Sequence, residues 1–388
     1  MSMKISAYFN NFFWIFATYL SAPYLYFRIF LRKGKNHKTK ILIIHGGKIG
    51  DLVCATPVFR EIKKKFPSSW VAAIVISKSR DILINNPHLD EIISINDYKT
   101  IGSKFRLFSK LRKEKYDWAF NFIPGSFHNI ISFWALIPDR VATLYKYSGE
   151  IIWLLSFFNN HRLEYKRHTS LEKHYANLLE LIGIAEFSPK TEIFIRPEEE
   201  KKASNFLKKN NITAEDFLIG IGATAGIKFK EWASDKFAAL ADQLIEKIKA
   251  RVIFVGSSDD QPIIEKIQKM MKNNSVNAAG AFKLYELAAF MRNLKLFISV
   301  DCGSLYVADA AGVPSVVIAG SVDMREQHPL NSPYKVIQKN IYCFPCSFTP
   351  FPARTCKEGH LKCLKEITPE EVFDSVIKLI SEEKLKNI

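Results

Sequence analysis

KILIIHGGKIGDLVCATP, Lys40 to Pro57, is the stretch that decides the fold. Its first six residues form a short β-branched apolar run. The next five hold Gly46, Gly47 and Gly50, and a helical pattern then continues to Phe66. A buried strand, a glycine turn and a helix open an alternating α/β chain. In such chains ligands bind beyond the carboxyl ends of the strands.

Working outward, further strand candidates are VAAIVI (71–76), EIISI (91–95) and DWAFNF (117–122), with helical patterns between them. The polar stretch 185–205 separates a second series: FLIGIG (217–222), RVIFVG (251–256), LFISV (296–300) and SVVIA (315–319). Helices are predicted around 234–249, 261–272, 284–292 and 303–311, with a final one over 369–385. The 388 residues suit two domains of roughly 100–200 residues each. The expected architecture is α/β: two Rossmann-like, doubly wound domains facing across a cleft, preceded by an apolar N-terminal helix. The expected division is 1–39 for a membrane-associating segment, 40–190 for an N-terminal Rossmann-like domain and 191–388 for a C-terminal one. The last helix is a candidate to return to the first domain. Long apolar stretches at 127–134 and 151–158 read as core or acceptor-side surface.

Lys and Arg total 55 against 39 Asp and Glu, a formal charge of +16. That balance calls for anionic partners. Nucleic acid is set aside, because no helix-turn-helix, zinc finger or RNP-type platform is visible. Residues 5–27 carry no charge, and eight aromatics fall between Phe12 and Phe27. Asn10, Asn11, Ser21 and Pro23 interrupt the run, and its apolar heart is short for a cleavable signal peptide. Behind it, residues 28–65 hold 11 basic and 2 acidic residues, beginning with Arg28, Arg32, Lys33 and Lys35. Three readings follow: a helix packed on the protein's own surface, an in-plane membrane helix, or a single span. The in-plane or shallow reading is preferred, and it leaves the rest of the chain in the cytoplasm.

Three loops carry candidate chemistry. His45–Pro57 joins the first strand to its helix and sets Gly47, Gly50 and Asp51 near a helix start. Asp51 is there either an N-cap or a functional carboxylate. Gly222–Trp232 (GATAGIKFKEW) offers Thr224, Lys228 and Lys230 as a phosphate cradle, or a solvated polar loop. Val300–Pro314 ends a strand at Asp301 and opens a helix at Gly303, where free amides suit a diphosphate. Asp309, inside that helix, reads as structural.

The order and spacing of these motifs resemble the ADP-heptose:lipopolysaccharide heptosyltransferases, glycosyltransferase family 9. The family's G-D-x-x-x-x-x-P is Gly50–Pro57 here, followed by VFREIKKKFP (58–67). Its G-x-x-x-x-K-x-W type loop is Gly222–Trp232. Its D-T-G and A-A-x-G-x-P appear as Asp301-Cys302-Gly303 and Ala310–Pro314, and its G-P-T-D as Gly320–Asp323. The resemblance spans about 40–375. It implies a GT-B fold and an inverting, metal-independent transfer from a nucleotide-activated sugar, with ADP-heptose the expected donor. It implies a lipid-linked or phosphorylated saccharide acceptor, and a membrane surface met through the N-terminus. It gives Asp51 the role of general base and Lys230 that of phosphate contact. It makes 40–190 the acceptor domain and 191–388 the nucleotide-sugar donor domain, with Asp301, Gly303 and Thr224 in the donor site and Gly47 and Gly50 as acceptor contacts or loop residues. Asp259 or Asp260 is a weaker candidate for the ribose. The chain departs from the family at Cys302 for Thr, Tyr306 for His and Ser321 for Pro.

Cys343, Cys346, Cys356 and Cys363 have partly zinc-like spacing, with His360 beside them. Structural zinc, reduced thiols and a disulfide stay open, and no cofactor is expected to be required for the transfer. His45 is a substrate contact or a space-filling strand end. His168 and His174 lie in a basic segment expected to be a solvated face, as is the run 99–115. Competing functions are a transferase using another nucleotide-sugar, a sugar-nucleotide 2-epimerase, and an inactive membrane-tethered binder.

Overall fold

A computed structural model describes residues 2–32, 38–349 and 351–385, with side chains described from residue 12 onward. Lys33 and Lys35 lie outside the described residues. The chain packs as two units. The first runs up to Lys48 and again from Pro57 to Ser188; the second comprises Ile49–Thr56 and Pro189 onward.

The first unit holds strands β1 (Lys40–His45), β2 (Trp70–Val75), β3 (Glu91–Ser94), β4 (Trp118–Ile123), β5 (Asp139–Leu144) and β6 (His161–Glu164). Their order is β3-β2-β1-β4-β5-β6, and every pair is parallel. The second unit holds β7 (Leu218–Gly222), β8 (Arg251–Phe254), β9 (Val276–Asn277), β10 (Leu296–Val300), β11 (Ser315–Ile318) and β12 (Tyr334–Ile337). Their order is β12-β11-β10-β7-β8-β9, again all parallel. Taken in sequence order the two sheets share one topology, the doubly wound 3-2-1-4-5-6. Each therefore reverses direction beside its first strand, between β1 and β4 and between β7 and β10.

The central strands are buried on both faces, as parallel strands covered by helices must be. Ile41, Leu42, Ile43 and Ile44 of β1 are fully buried, as are Leu296, Phe297 and Ile298 of β10. The second core also takes Val372, Val376 and Ile380 from the final helix, Pro369–Glu382. That helix belongs to the second unit.

The N-terminal helix, Ser2–Leu31, belongs to the first unit. Trp14 and Leu25 sit in its core with Phe108, Ile131 and Trp134. Trp134 Nε1 donates to Thr18 Oγ1 (2.9 Å), and Thr18 Oγ1 donates to the Trp14 carbonyl (2.6 Å). Arg32 secures the far end, donating to the carbonyls of Leu136 (2.6 Å) and Tyr116 (2.9 Å). Residues 14, 18, 25 and 29 recur at helical spacing, so one face of the helix is spent on this packing.

Candidate functional site

The direction change between β7 and β10 carries most of the predicted residues. β7 ends at Gly222, and the loop beyond it passes buried Thr224 on its way to Lys230. Trp232 holds the end of that loop: its indole is buried against Phe237 and donates to the Ile367 carbonyl (3.2 Å). Glu231 folds back to accept from the Ala225 amide (3.2 Å), and burial pushes its carboxyl above the usual range. The loop is thus fixed from both sides.

β10 ends at Val300, and Asp301 follows before the helix Gly303–Ala310. Lys230 Nζ donates to Asp301 Oδ2 at 2.6 Å, with both side chains 14% exposed. The two loops approach closely: a Cβ at Gly222 would lie 3.1 Å from Ser304 Oγ. Cys302 stands at the position before the helix, and its side chain makes no capping hydrogen bond. Its Sγ lies 3.0 Å from Ser304 Oγ, and burial pushes its thiol up.

The short helix Ile49–Cys54, which carries Gly50 and Asp51, packs on the helix Gly303–Ala310 within the second unit. Two glycines permit this approach. A Cβ at Gly50 would stand 2.6 Å from Tyr306 Cδ2, and one at Gly303 would stand 2.8 Å from Ile49 Cβ. The Tyr306 hydroxyl has one proton and two acceptors in reach, Asp301 Oδ1 (3.3 Å) and the Gln327 carbonyl (3.2 Å). Burial raises the Tyr306 phenol well above its ordinary value, and the charges of Asp301, Cys54 and Asp51 add to the shift. Tyr306 is therefore a neutral donor lying among the two carboxylates that the sequence singled out. Gln327 also reaches Cys54 Sγ (3.5 Å).

Asp51, Gly50, Lys230, Asp301 and Gly303 are thus gathered around Tyr306 and Ser304. Gly47 is buried in the turn that follows β1. Asp260 is used locally, accepting from Ser257 N and Oγ at 2.7 Å each, and Asp259 is exposed. Asp309 accepts from the amides of Leu330, Asn331 and Ser332 (2.8–3.0 Å), which fixes it as a structural residue.

In the first unit the corresponding switch point holds His128, which the sequence reading passed over. A Cβ at Gly46 would lie 2.5 Å from the His128 ring, and one at Gly125 would lie 3.0 Å away. Burial pushes His128 down to about 4, and its Nδ1 has no hydrogen-bond partner. The signal was IPGSFH, a glycine loop after the fourth strand that parallels HGGKIGD after the first. His45 is 1% exposed beside Tyr175, its Nε2 3.3 Å from the hydroxyl, and fills space. His174, expected on a solvated face, is instead buried. Its Nε2 sits 3.0 Å from Thr143 Oγ1, because the helix Leu171–Leu179 turns Leu171, His174, Tyr175 and Leu178 inward together.

Among the described residues no disulfide joins Cys302, Cys343, Cys346, Cys356 and Cys363. Cys343, Cys346, Cys356 and Cys363 are near enough to influence one another: burial raises Cys363 to about 11, and the other three add to it. Among the described residues no three of their sulfurs lie within 4.8 Å of one another.

Comparison with known proteins adds the following. Residues 104–355 match the model of glycosyltransferase family 9 (heptosyltransferase). The chain is 24% identical to lipopolysaccharide heptosyltransferase 3 of Escherichia coli (strain K12) over 341 residues, 86% of this chain and 96% of that protein. Among solved structures it resembles a family 9 glycosyl transferase from Veillonella parvula, with a TM-score of 0.77 at 22% identity. That match covers 90% of this chain and all of the other. It also resembles E. coli ADP-heptose lps heptosyltransferase II, with a TM-score of 0.69 at 19% identity, covering 89% and 100%. Both likenesses are to the α/β, two-unit GT-B fold described above.

Proposed function

From the premise that the chain belongs to glycosyltransferase family 9, and is thus a glycosyltransferase, we propose that it moves heptose from ADP-heptose to a saccharide of lipopolysaccharide core. Asp51 takes the proton of the acceptor hydroxyl. The freed oxygen attacks the anomeric carbon from the face opposite the nucleotide, and the bond from that carbon to the diphosphate oxygen breaks, inverting the centre. A carboxylate does this only if it is ionised and within about 3 Å of the hydroxyl. Lys230 offsets the negative charge that gathers on the departing ADP, so no metal ion is required for that step. The amides at Gly303 and the hydroxyl of Thr224 line the diphosphate's place.

The observation that carries this reading is the packing of the Gly50–Asp51 helix against the Gly303 helix through Tyr306. It gives the base, the cation and the strand-end carboxylate one supporting frame. Two similar proteins support the choice of donor: one is a lipopolysaccharide heptosyltransferase and another an ADP-heptose lps heptosyltransferase. The N-terminal helix, aromatic and uncharged from residue 5 to residue 27, supports action at the cytoplasmic surface of a membrane.

The test is thermal melting of the full chain with ADP, UDP, GDP and CDP and their sugar conjugates. A ligand at about 100 times its Kd stabilises by about 2.7 kcal/mol. A selective rise with ADP or ADP-heptose supports the reading. A selective rise with UDP or GDP moves the donor to another sugar. No rise with any of them counts against a nucleotide-sugar site formed by the chain alone, and so against the reading.

A further inference from the structure

Sixteen of the twenty-one exposed large apolar side chains among the described residues fall in three segments of the first unit. These are the N-terminal helix, the start of the helix Ile101–Glu114, and residues 151–157. Soluble surfaces do not gather apolar groups this way without a partner. The three segments adjoin. The rings of Trp14 and Phe105 are 5.4 Å apart, and those of Tyr19 and Phe158 are 4.9 Å apart. Tyr19 also donates to the Leu154 carbonyl (3.5 Å).

The N-terminal helix is apolar on both faces. Trp14, Thr18 and Leu25 face the core, while Phe16, Leu20, Phe27 and Phe30 are 58–71% exposed. Among the described residues no helix is long and apolar enough to cross a membrane. With its inner face held by Trp134 and Phe108, this helix lies along the unit. The neighbouring segments extend its outer face: Phe105 (43% exposed) on one side, Trp153 (46%) and Phe157 (44%) on the other.

Charge names the occupant. Residues 12–32 contain no carboxylate, and on the helix Ile101–Glu114 Arg106 and Lys113 are exposed cations, while Lys104 is buried, Lys110 pairs with Glu91, Arg112 donates to the Trp134 carbonyl and the one acid, Glu114, pairs with Lys40. Arg162 lies over the Phe157 ring at 4.3 Å, and Arg28 donates to the Tyr24 hydroxyl at 2.6 Å. Aromatic rings fringed by arginine and lysine suit the headgroup level of an anionic leaflet. A second copy of the same face offers these cations almost no carboxylates.

We propose that the three segments form one in-plane docking face for an anionic phospholipid leaflet, in which Phe105 and Trp153 enter beside the N-terminal helix. This rests on the reading of the chain as a membrane-surface enzyme. It deepens that reading by making the anchor a composite of the folded unit.

The test is flotation of the full chain with phosphatidylcholine vesicles, with and without phosphatidylglycerol. Wild type is expected to float with the anionic vesicles. Leu20→Glu, Phe105→Glu and Trp153→Glu should each lower the bound fraction about fivefold or more, because a charge at the contact removes the burial that drives partition. Thermal melting of each variant tracks folding. ADP binding, which tests the transferase reading, is measured separately, so either idea can fail alone. Quenching of wild-type tryptophan fluorescence by lipid-borne bromine needs no variant, and Trp153 is the one exposed tryptophan among the described residues. The proposal is overturned if folded Phe105→Glu and Trp153→Glu float like wild type, if bromine does not quench, or if vesicles with and without phosphatidylglycerol bind equally. It is equally overturned if the chain is a lipid-free dimer that Leu20→Glu dissociates, which would make a second copy the occupant.

Discussion

Lys230 Nζ stands 2.6 Å from Asp301 Oδ2, and the pair ties the loop after β7 to the end of β10. A diphosphate arriving at these strand ends would share a cation whose position is already fixed by a carboxylate. Such a cation costs little to organise when the leaving group charges up.

Lys230→Ala should therefore weaken ADP by about tenfold or more, the worth of one charge-assisted hydrogen bond. Adenosine affinity should hardly move, because adenosine lacks the phosphates. Calorimetry with the two ligands makes the comparison; an equal loss for both would assign Lys230 a purely structural part.

Asp51→Asn should lower kcat about a hundredfold or more, while ADP affinity stays within about twofold. The amide keeps the size and removes the basicity. Full turnover by this variant in an ADP-release assay would take the base role from Asp51.

Gly50→Ala should destabilise the second unit by about 1–3 kcal/mol through overpacking, since its Cβ would meet Tyr306 Cδ2 at 2.6 Å. In a Tyr306→Leu background most of that cost should vanish, giving a coupling of about 1 kcal/mol or more. Urea melts of the four proteins measure it, and additive losses would mean the two residues do not press on each other.

Trp14→Ala should cost about 3–5 kcal/mol, as for any large aromatic removed from a core. Trp14 is 2% exposed and touches Phe105, Phe108, Phe127 and Trp134. A shift in the urea midpoint no larger than for an exposed residue would show the N-terminal helix to be a loose appendage.

Acid should unfold the first unit through its histidines. His174 is held down to about 4 by burial, against 6.5 when exposed. The folded value lies below the unfolded one, so the unfolded chain takes the proton first. Stability is whole above pH 6.5 and is lost as pH falls toward 4, by up to about 3 kcal/mol. His128 acts in the same direction. Comparing wild type with His174→Asn between neutral pH and pH 4.5, the variant's curve should be the flatter; parallel curves would remove His174 from the account.

Central strands were legible because a strand buried on both faces must be a continuous apolar run. KILIIH and LFISV match β1 and β10 residue for residue. The outer strands β5, β6, β9 and β12 were not legible. HRLE and VN are half-exposed edge segments whose character comes from the neighbour they pair with. The site divides the same way. Asp51, Lys230, Asp301 and Gly303 stand at strand ends, where the α/β pattern itself points. Tyr306 was noted only as a departure from a motif, because its contact with Gly50 spans 256 positions of sequence. His128 has no charged neighbour in sequence to draw attention, and its significance lies in two glycines on separate loops.

Because residues 49–56 pack with the second unit, the chain passes between its units at 48/49, 56/57 and 188/189 instead of once. Inheritance of the second unit is consequently split. A single crossover near residue 190 between two related genes would hand down Gly50 and Asp51 from one parent and Tyr306 from the other. A chimera that exchanges first units must carry Ile49–Thr56 with the second unit, or it will pair one parent's glycine with the other parent's residue at position 306.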